Sequence, residues 1–243
     1  MPPNPACKVP RPGPGGEDSA GKFDPRDKEG FRQLYQRPSF APGSLAETLR
    51  SLPGYKSRRR LFVGPAPQLR QVRINTLLDG KELLMPAPGL RDGFYLFRPF
   101  TIPFAQLPLA VTNKGMPRFA RKLATGQLAG LAVDLLVDEA LAVDEHGLLL
   151  GDGQGFFDLC LAILATTGAL TPDYLVVAVA AAMESGRSPA PDPWDLRVDY
   201  LLNDQGLKKC NRPAAARTPK IFWEQLPPTR IKRITTLWQL QNP

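Results

Sequence analysis

Apolar positions along the chain fall in short runs that alternate between strand and helix spacing. Leu61-Phe62-Val63 reads as a buried strand that stops at Gly64-Pro65. Residues 67–78 follow with helical spacing, opened by a proline in the first turn, with Leu69, Val72, Leu77 and Leu78 expected inward. Gly80 ends that helix and Glu82-Leu83-Leu84-Met85 is the next strand. Strand, helix and strand in close succession predict a parallel βαβ unit with a right-handed crossover. Upstream, residues 27–36 form a short helix with Asp27 near its cap, and Ser44 caps a second helix reaching about residue 52. Downstream, 86–117 is an irregular excursion with a strand near 94–97, and 117–123 is a short helix carrying Arg118, Arg121 and Lys122. Residues 132–137 and 141–143 are strands, 174–180 is a continuous run suited to a strand buried on both faces, and 197–202 is the last strand.

The pattern turns on one stretch, LLLGDGQGFFDLCLAIL, over 148–164. An apolar run ends in Gly151-Asp152-Gly153-Gln154-Gly155. A helix then begins at once, with Phe156, Leu159, Cys160, Ile163 and Leu164 on one face. Three glycines at alternate positions let backbone approach a ligand closely, and the helix start offers free N–H groups and a positive dipole end. Phosphate suits such a place. A tight strand-to-helix connection with no ligand would produce the same short pattern. In an open parallel sheet, ligands bind beyond the carboxyl ends of the strands, where this loop is expected.

Composition adds limits. With 243 residues and 43% hydrophobic content the chain can build a substantial core. Residues 1–26 are rich in proline and glycine and read as a flexible tail, 27–205 as the α/β domain, and 206–243 as a basic extension that docks through Phe222, Trp223, Leu237 and Trp238. No apolar run reaches the roughly 18 residues of a membrane span, and the start lacks an apolar signal core, so a cytoplasmic protein is expected. Three cysteines, Cys7, Cys160 and Cys210, are widely spaced and read as reduced thiols. The excess of 31 Lys and Arg over 23 Asp and Glu gives a formal charge of +8, which favours anionic partners. Its densest run, Lys56 to Arg60, reads as solvated surface, and His146 as an exposed turn residue.

LGDGQGFFDL resembles the LGxGxGYxD signature of the 5-formyltetrahydrofolate cyclo-ligase family, also called methenyltetrahydrofolate synthetases, and is nearest to a divergent branch with GKGxGFxDLE. The likeness covers most of the chain past residue 27. VDLLVDEALAVDEHGLLLGDGQGFFDL is similar to the family's VDLIVVG-x-VAVDE-x-G-x-R-x-G-x-G-x-G-x-x-D, and TPKIFWEQLPPTRIKRITTLWQL to the branch's closing segment. The resemblance implies a Rossmann-like, three-layer α/β domain with a mainly parallel sheet. It also implies ATP- and Mg²⁺-dependent conversion of 5-formyltetrahydrofolate to 5,10-methenyltetrahydrofolate. By the same resemblance, Lys28 and Arg32 contact ATP phosphates, the loop from Gly151 through Asp152, Gly153, Gln154 and Gly155 to Phe156 holds the nucleotide, Asp158 places Mg²⁺, and Gln68 and Phe157 meet the folate.

Several positions depart from that pattern. Asp152 stands where the family has Arg or Lys, Gln154 where it has Gly or Lys, and Phe156-Phe157 where it has tyrosines. Gln68 replaces a glutamate, Ala180 to Met183 a polar run, and Trp194 a histidine. These departures keep open a catalytically altered relative that binds a nucleotide or another anion without ligating. A nucleic-acid partner, suggested only by the charge, lacks an aromatic-basic signature and is not expected. The expected partners are a folate and a nucleotide, with no membrane, in a monomer or small homo-oligomer.

Overall fold

The computed structural model describes residues 40–41, 43–181, 183–184, 191–212 and 219–242. Lys28, Arg32 and the 27–36 helix lie outside the described residues. Eleven strands form among the described residues: β1 (Arg60–Val63), β2 (Glu82–Pro86), β3 (Phe94–Phe97), β4 (Arg121–Leu123), β5 (Val133–Glu139), β6 (Ala142–Asp144), β7 (Leu149–Leu150), β8 (Leu170–Val179), β9 (Met183–Glu184), β10 (Tyr200–Asn203) and β11 (Gly206–Lys209). Eight of them make one sheet, in the order β11-β10-β8-β5-β1-β2-β3-β4. The five central strands, β10, β8, β5, β1 and β2, are mutually parallel, and the two edges are closed by antiparallel strands. β7, β6 and β9 form a small second sheet.

Alternation along the strands explains the layers. Phe62, Leu84, Leu136, Val176 and Ala178 project to one face, where α5 (Phe156–Thr166), α6 (Pro228–Arg233) and α7 (Thr235–Gln241) cover them. Leu61, Val63, Leu83, Leu135, Val137 and Val177 project to the other. There they meet α1 (Ser44–Leu49), α2 (Arg70–Leu78), α3 (Leu107–Ala110) and α4 (Met116–Phe119). The result is a three-layer α/β domain with a central, mostly parallel sheet, as the sequence implies. Among the described residues no helix is long and apolar enough to cross a membrane.

Local readings shift where pairing across the sheet decides the outcome. The 117–123 segment is not one helix: α4 stops at Phe119, and Arg121–Leu123 pairs antiparallel with β3 as the edge strand β4. Two exposed cations on that edge discourage further strand addition. Leu78 closes α2 facing outward rather than inward. The strand expected over 197–202 is not the last, because β11 returns beside β10 through residue 206. In the carboxy-terminal segment Leu237 is fully buried while Trp238 is exposed.

Candidate functional site

Read along the parallel strands, the order β2-β1-β5-β8-β10 reverses direction between β1 and β5. That is the topological switch point, where the connections leaving neighbouring strands go to opposite faces and leave a crevice. A cleft of about 740 Å³ lies there. Pro65 and Ala66 after β1, Asp138 and Glu139 at the end of β5, and the glycine loop all border it. The loop therefore sits beyond the carboxyl ends of the strands, as its sequence predicts.

Gly153 and Gly155 have φ of +85° and +56°, in the left-handed region that glycine adopts without a Cβ penalty. Gln154 N–H donates to Asp152 Oδ1 at 3.1 Å, so the aspartate side chain folds the loop onto itself. Gly155 caps α5, and no side chain caps the helix start. The first-turn N–H groups of an α-helix lack intrahelical partners. Residues 155–158 at this helix start border the cleft, where the dipole favours an anion.

The site residues expected from the sequence occupy different places. Gly151, Asp152, Gln154, Gly155 and Phe156 border the cleft, together with Phe157 and Asp158. Phe157 is 5% exposed and its ring stacks on Phe62 with centroids 5.8 Å apart, so most of it belongs to the core. Asp158 Oδ1 accepts the Leu196 N–H at 2.9 Å, which ties α5 to the segment before β10. Gly153 faces a second cleft of about 590 Å³ across the loop, beside Trp194 and Phe222, and Asp158 borders both clefts. Gln68 borders neither; its side-chain amide donates to Glu139 Oε2 at the cleft rim. His146 is exposed on its turn.

Asp138, Arg230 and Arg233, which the sequence pattern does not single out, complete the walls, and Arg73 supports the turn behind them. Asp138 is 6% exposed, accepts the Glu139 N–H at 2.7 Å, and is pushed up to about 7 by burial. Gly64 makes room for it: a Cβ there would lie 1.9 Å from Asp138 Oδ1. Arg73, from α2, is buried and donates to the carbonyls of Gly64 at 2.5 Å, Ala66 at 3.0 Å and Val111 at 3.0 Å, which fixes the turn after β1. Burial pulls its guanidinium down to about 10, with Asp138 opposing that shift. Arg230 and Arg233, from α6, reach the cleft from the far end of the chain. Only Asp138 left a trace in the sequence, as a charge at the end of the apolar run VDLLVDE; the arginines needed the tertiary fold. The basic run before β1 lies at the opposite, amino-terminal end of the strands. There Arg58 binds the Asp134 and Asp173 carbonyls at 3.0 Å each, and Arg60 pairs with Glu82.

The model of the 5-formyltetrahydrofolate cyclo-ligase family matches residues 36–204. The chain belongs to that family. Its relatives include proteins named methenyltetrahydrofolate synthase domain-containing protein. The Danio rerio protein is 30% identical over 188 residues, covering 74% of this chain and 47% of the relative. The Bos taurus protein is 28% identical over 221 residues, covering 87% and 56%, and the Homo sapiens protein is 28% identical over 220 residues, covering 86% and 56%. The chain thus spans about half the length of the curated relatives it matches. The NMR structure of Aquifex aeolicus 5,10-methenyltetrahydrofolate synthetase aligns at 19% identity with a TM-score of 0.46, over 82% of this chain and 91% of that one.

Proposed function

We propose that the cleft binds ATP with Mg²⁺ and a reduced folate, and that the chain converts 5-formyltetrahydrofolate into 5,10-methenyltetrahydrofolate. The observation that carries this reading is the uncapped start of α5, opening through a glycine loop on the switch-point cleft of a family member. In the proposed reaction the terminal phosphoryl group of ATP passes to the N5-formyl oxygen and ADP is released. N10 then attacks the formyl carbon, and inorganic phosphate departs with the former formyl oxygen. Such chemistry asks the protein for alignment and charge neutralisation rather than a covalent nucleophile.

The first-turn amides of α5 would hold phosphate oxygens, and Asp158 would orient the nucleotide through the metal. Asp158 is the carboxylate at the loop that a Mg²⁺ ion would use, since Mg²⁺ typically takes one or two carboxylates and completes its shell with phosphate and water. When bound, the ion supplies charge neutralisation on the phosphates. Lys28 and Arg32 would add positive charge from the amino-terminal segment.

A second reading, nucleotide or anion binding without ligation, is favoured by the carboxyl groups of Asp138, Glu139 and Asp152 at the cleft. One experiment separates the two. The chain is incubated with 5-formyltetrahydrofolate and ATP–Mg²⁺, product is followed by its absorbance, and ligand-induced melting shifts are read in parallel. ATP-dependent product supports the ligase. A nucleotide shift without product supports the binding protein, and neither signal rejects both.

A further inference from the structure

Arg230 belongs to the carboxy-terminal segment, yet its Nη2 donates to the carbonyl of Gln154, in the middle of the glycine loop, at 2.7 Å. It is half-buried, and its side chain makes no ion pair within 4 Å among the described residues. One of its five donors is used on Gln154, and a guanidinium's planar fork suits two oxygens of one phosphate. The residue borders both the 740 Å³ and the 590 Å³ clefts, so it stands at the partition between them. Arg233, one helical turn on, is exposed and borders the larger cleft. Ile231 and Ile234 anchor the same segment in the core at 5% and 3% exposure, which fixes where the two arginines emerge.

Charge explains why these two residues matter. The larger cleft carries Asp138, Glu139, Asp152 and Asp158, and Arg230 and Arg233 are the cationic side chains on its described border.

We propose that Arg230 and Arg233 of the carboxy-terminal helix form, with the glycine loop, the subsite for the terminal phosphates of a polyphosphate ligand. The subsite rests on the nucleotide reading above and extends it: a segment remote in sequence completes the loop. Arg230 both supports Gln154 and meets the ligand, while Arg233 supplies a second charge.

The test titrates ATP–Mg²⁺, and separately inorganic tripolyphosphate, into the full chain and into Arg230→Ala, Arg230→Lys, Arg233→Ala and Lys232→Ala. Lys232 is exposed on the same helix and borders neither cleft. The expected result is at least a tenfold weaker Kd for both probes in Arg230→Ala, partial recovery in Arg230→Lys, a several-fold loss in Arg233→Ala, and no change in Lys232→Ala. Arg233→Ala removes an exposed side chain, so its result stands even if Arg230→Ala disturbs the loop. Wild-type binding that both alanine variants keep would overturn the subsite and leave the nucleotide reading intact. Equal losses in Arg233→Ala and Lys232→Ala would overturn it as a general charge effect. Absence of binding by the wild-type chain would reject the nucleotide reading and the subsite together.

Discussion

Asp138 is a buried carboxyl whose surroundings disfavour its charged form. Its carboxyl lies against the α-carbon of Gly64, with Arg73 from α2, Glu139 on its own strand, Asp152 on the loop and Cys160 on α5 as its charged and titratable neighbours. Burial raises it to about 7. Between about pH 4, where a carboxylate in the unfolded chain ionises, and pH 7, the native state keeps a proton that the unfolded state has released. The native state binds more protons in that window, so stability falls as pH rises through it and levels off above it. Raising a carboxyl from about 4 to about 7 corresponds to about 4 kcal/mol, which is the upper limit of the effect. Asp138→Asn keeps the shape without the charge. Its melting temperature should match wild type near pH 4 and exceed it by several degrees at pH 8. A difference between the two proteins that does not vary with pH would contradict the buried-acid account. The sequence shows Asp138 only as an interruption of an apolar run; that a glycine 74 positions earlier makes room for it is a fact of the parallel register between β1 and β5.

At the scale of elements, the parts legible in the sequence are those whose own periodicity fixes them. β1, α2, β2, β5, α5 and β8 all come from apolar runs long enough to bury without help. β4 and β11 were not legible, because Arg121-Lys122 and Lys208-Lys209 are exposed and become strands only by pairing with β3 and β10. The glycine loop was legible for a similar reason: its residues are adjacent in sequence and set their own geometry. Arg230 was not, since nothing in PPTRIKRI specifies which surface the helix will meet. Phe157 both borders the cleft and packs in the core. Its ring lies on Phe62 between α5 and the sheet, so Phe157→Ala should lower stability by ~3–5 kcal/mol, measured by denaturant unfolding. A change below about 1 kcal/mol would mean that the ring serves the cleft rather than the core.

For the whole molecule, a mainly parallel sheet covered on both faces puts its ligand at one end, and the switch between β1 and β5 sets the place along that end. Among the described residues the positive charge is not concentrated there. Arg58 and Arg60 are engaged at the opposite end of the strands, and the described border of the larger cleft has more carboxyl groups than arginines. On the proposed reading, anion binding would therefore depend on directed groups, the amides of α5 and the arginines of α6, rather than on the net charge. Hydrogen exchange of the full chain with and without ATP–Mg²⁺ tests this most directly. Nucleotide is predicted to slow exchange of amides within 151–159, with smaller protection around 227–234. Nucleotide binding that leaves 151–159 unprotected and slows exchange elsewhere would contradict the assignment of the glycine loop as the phosphate site.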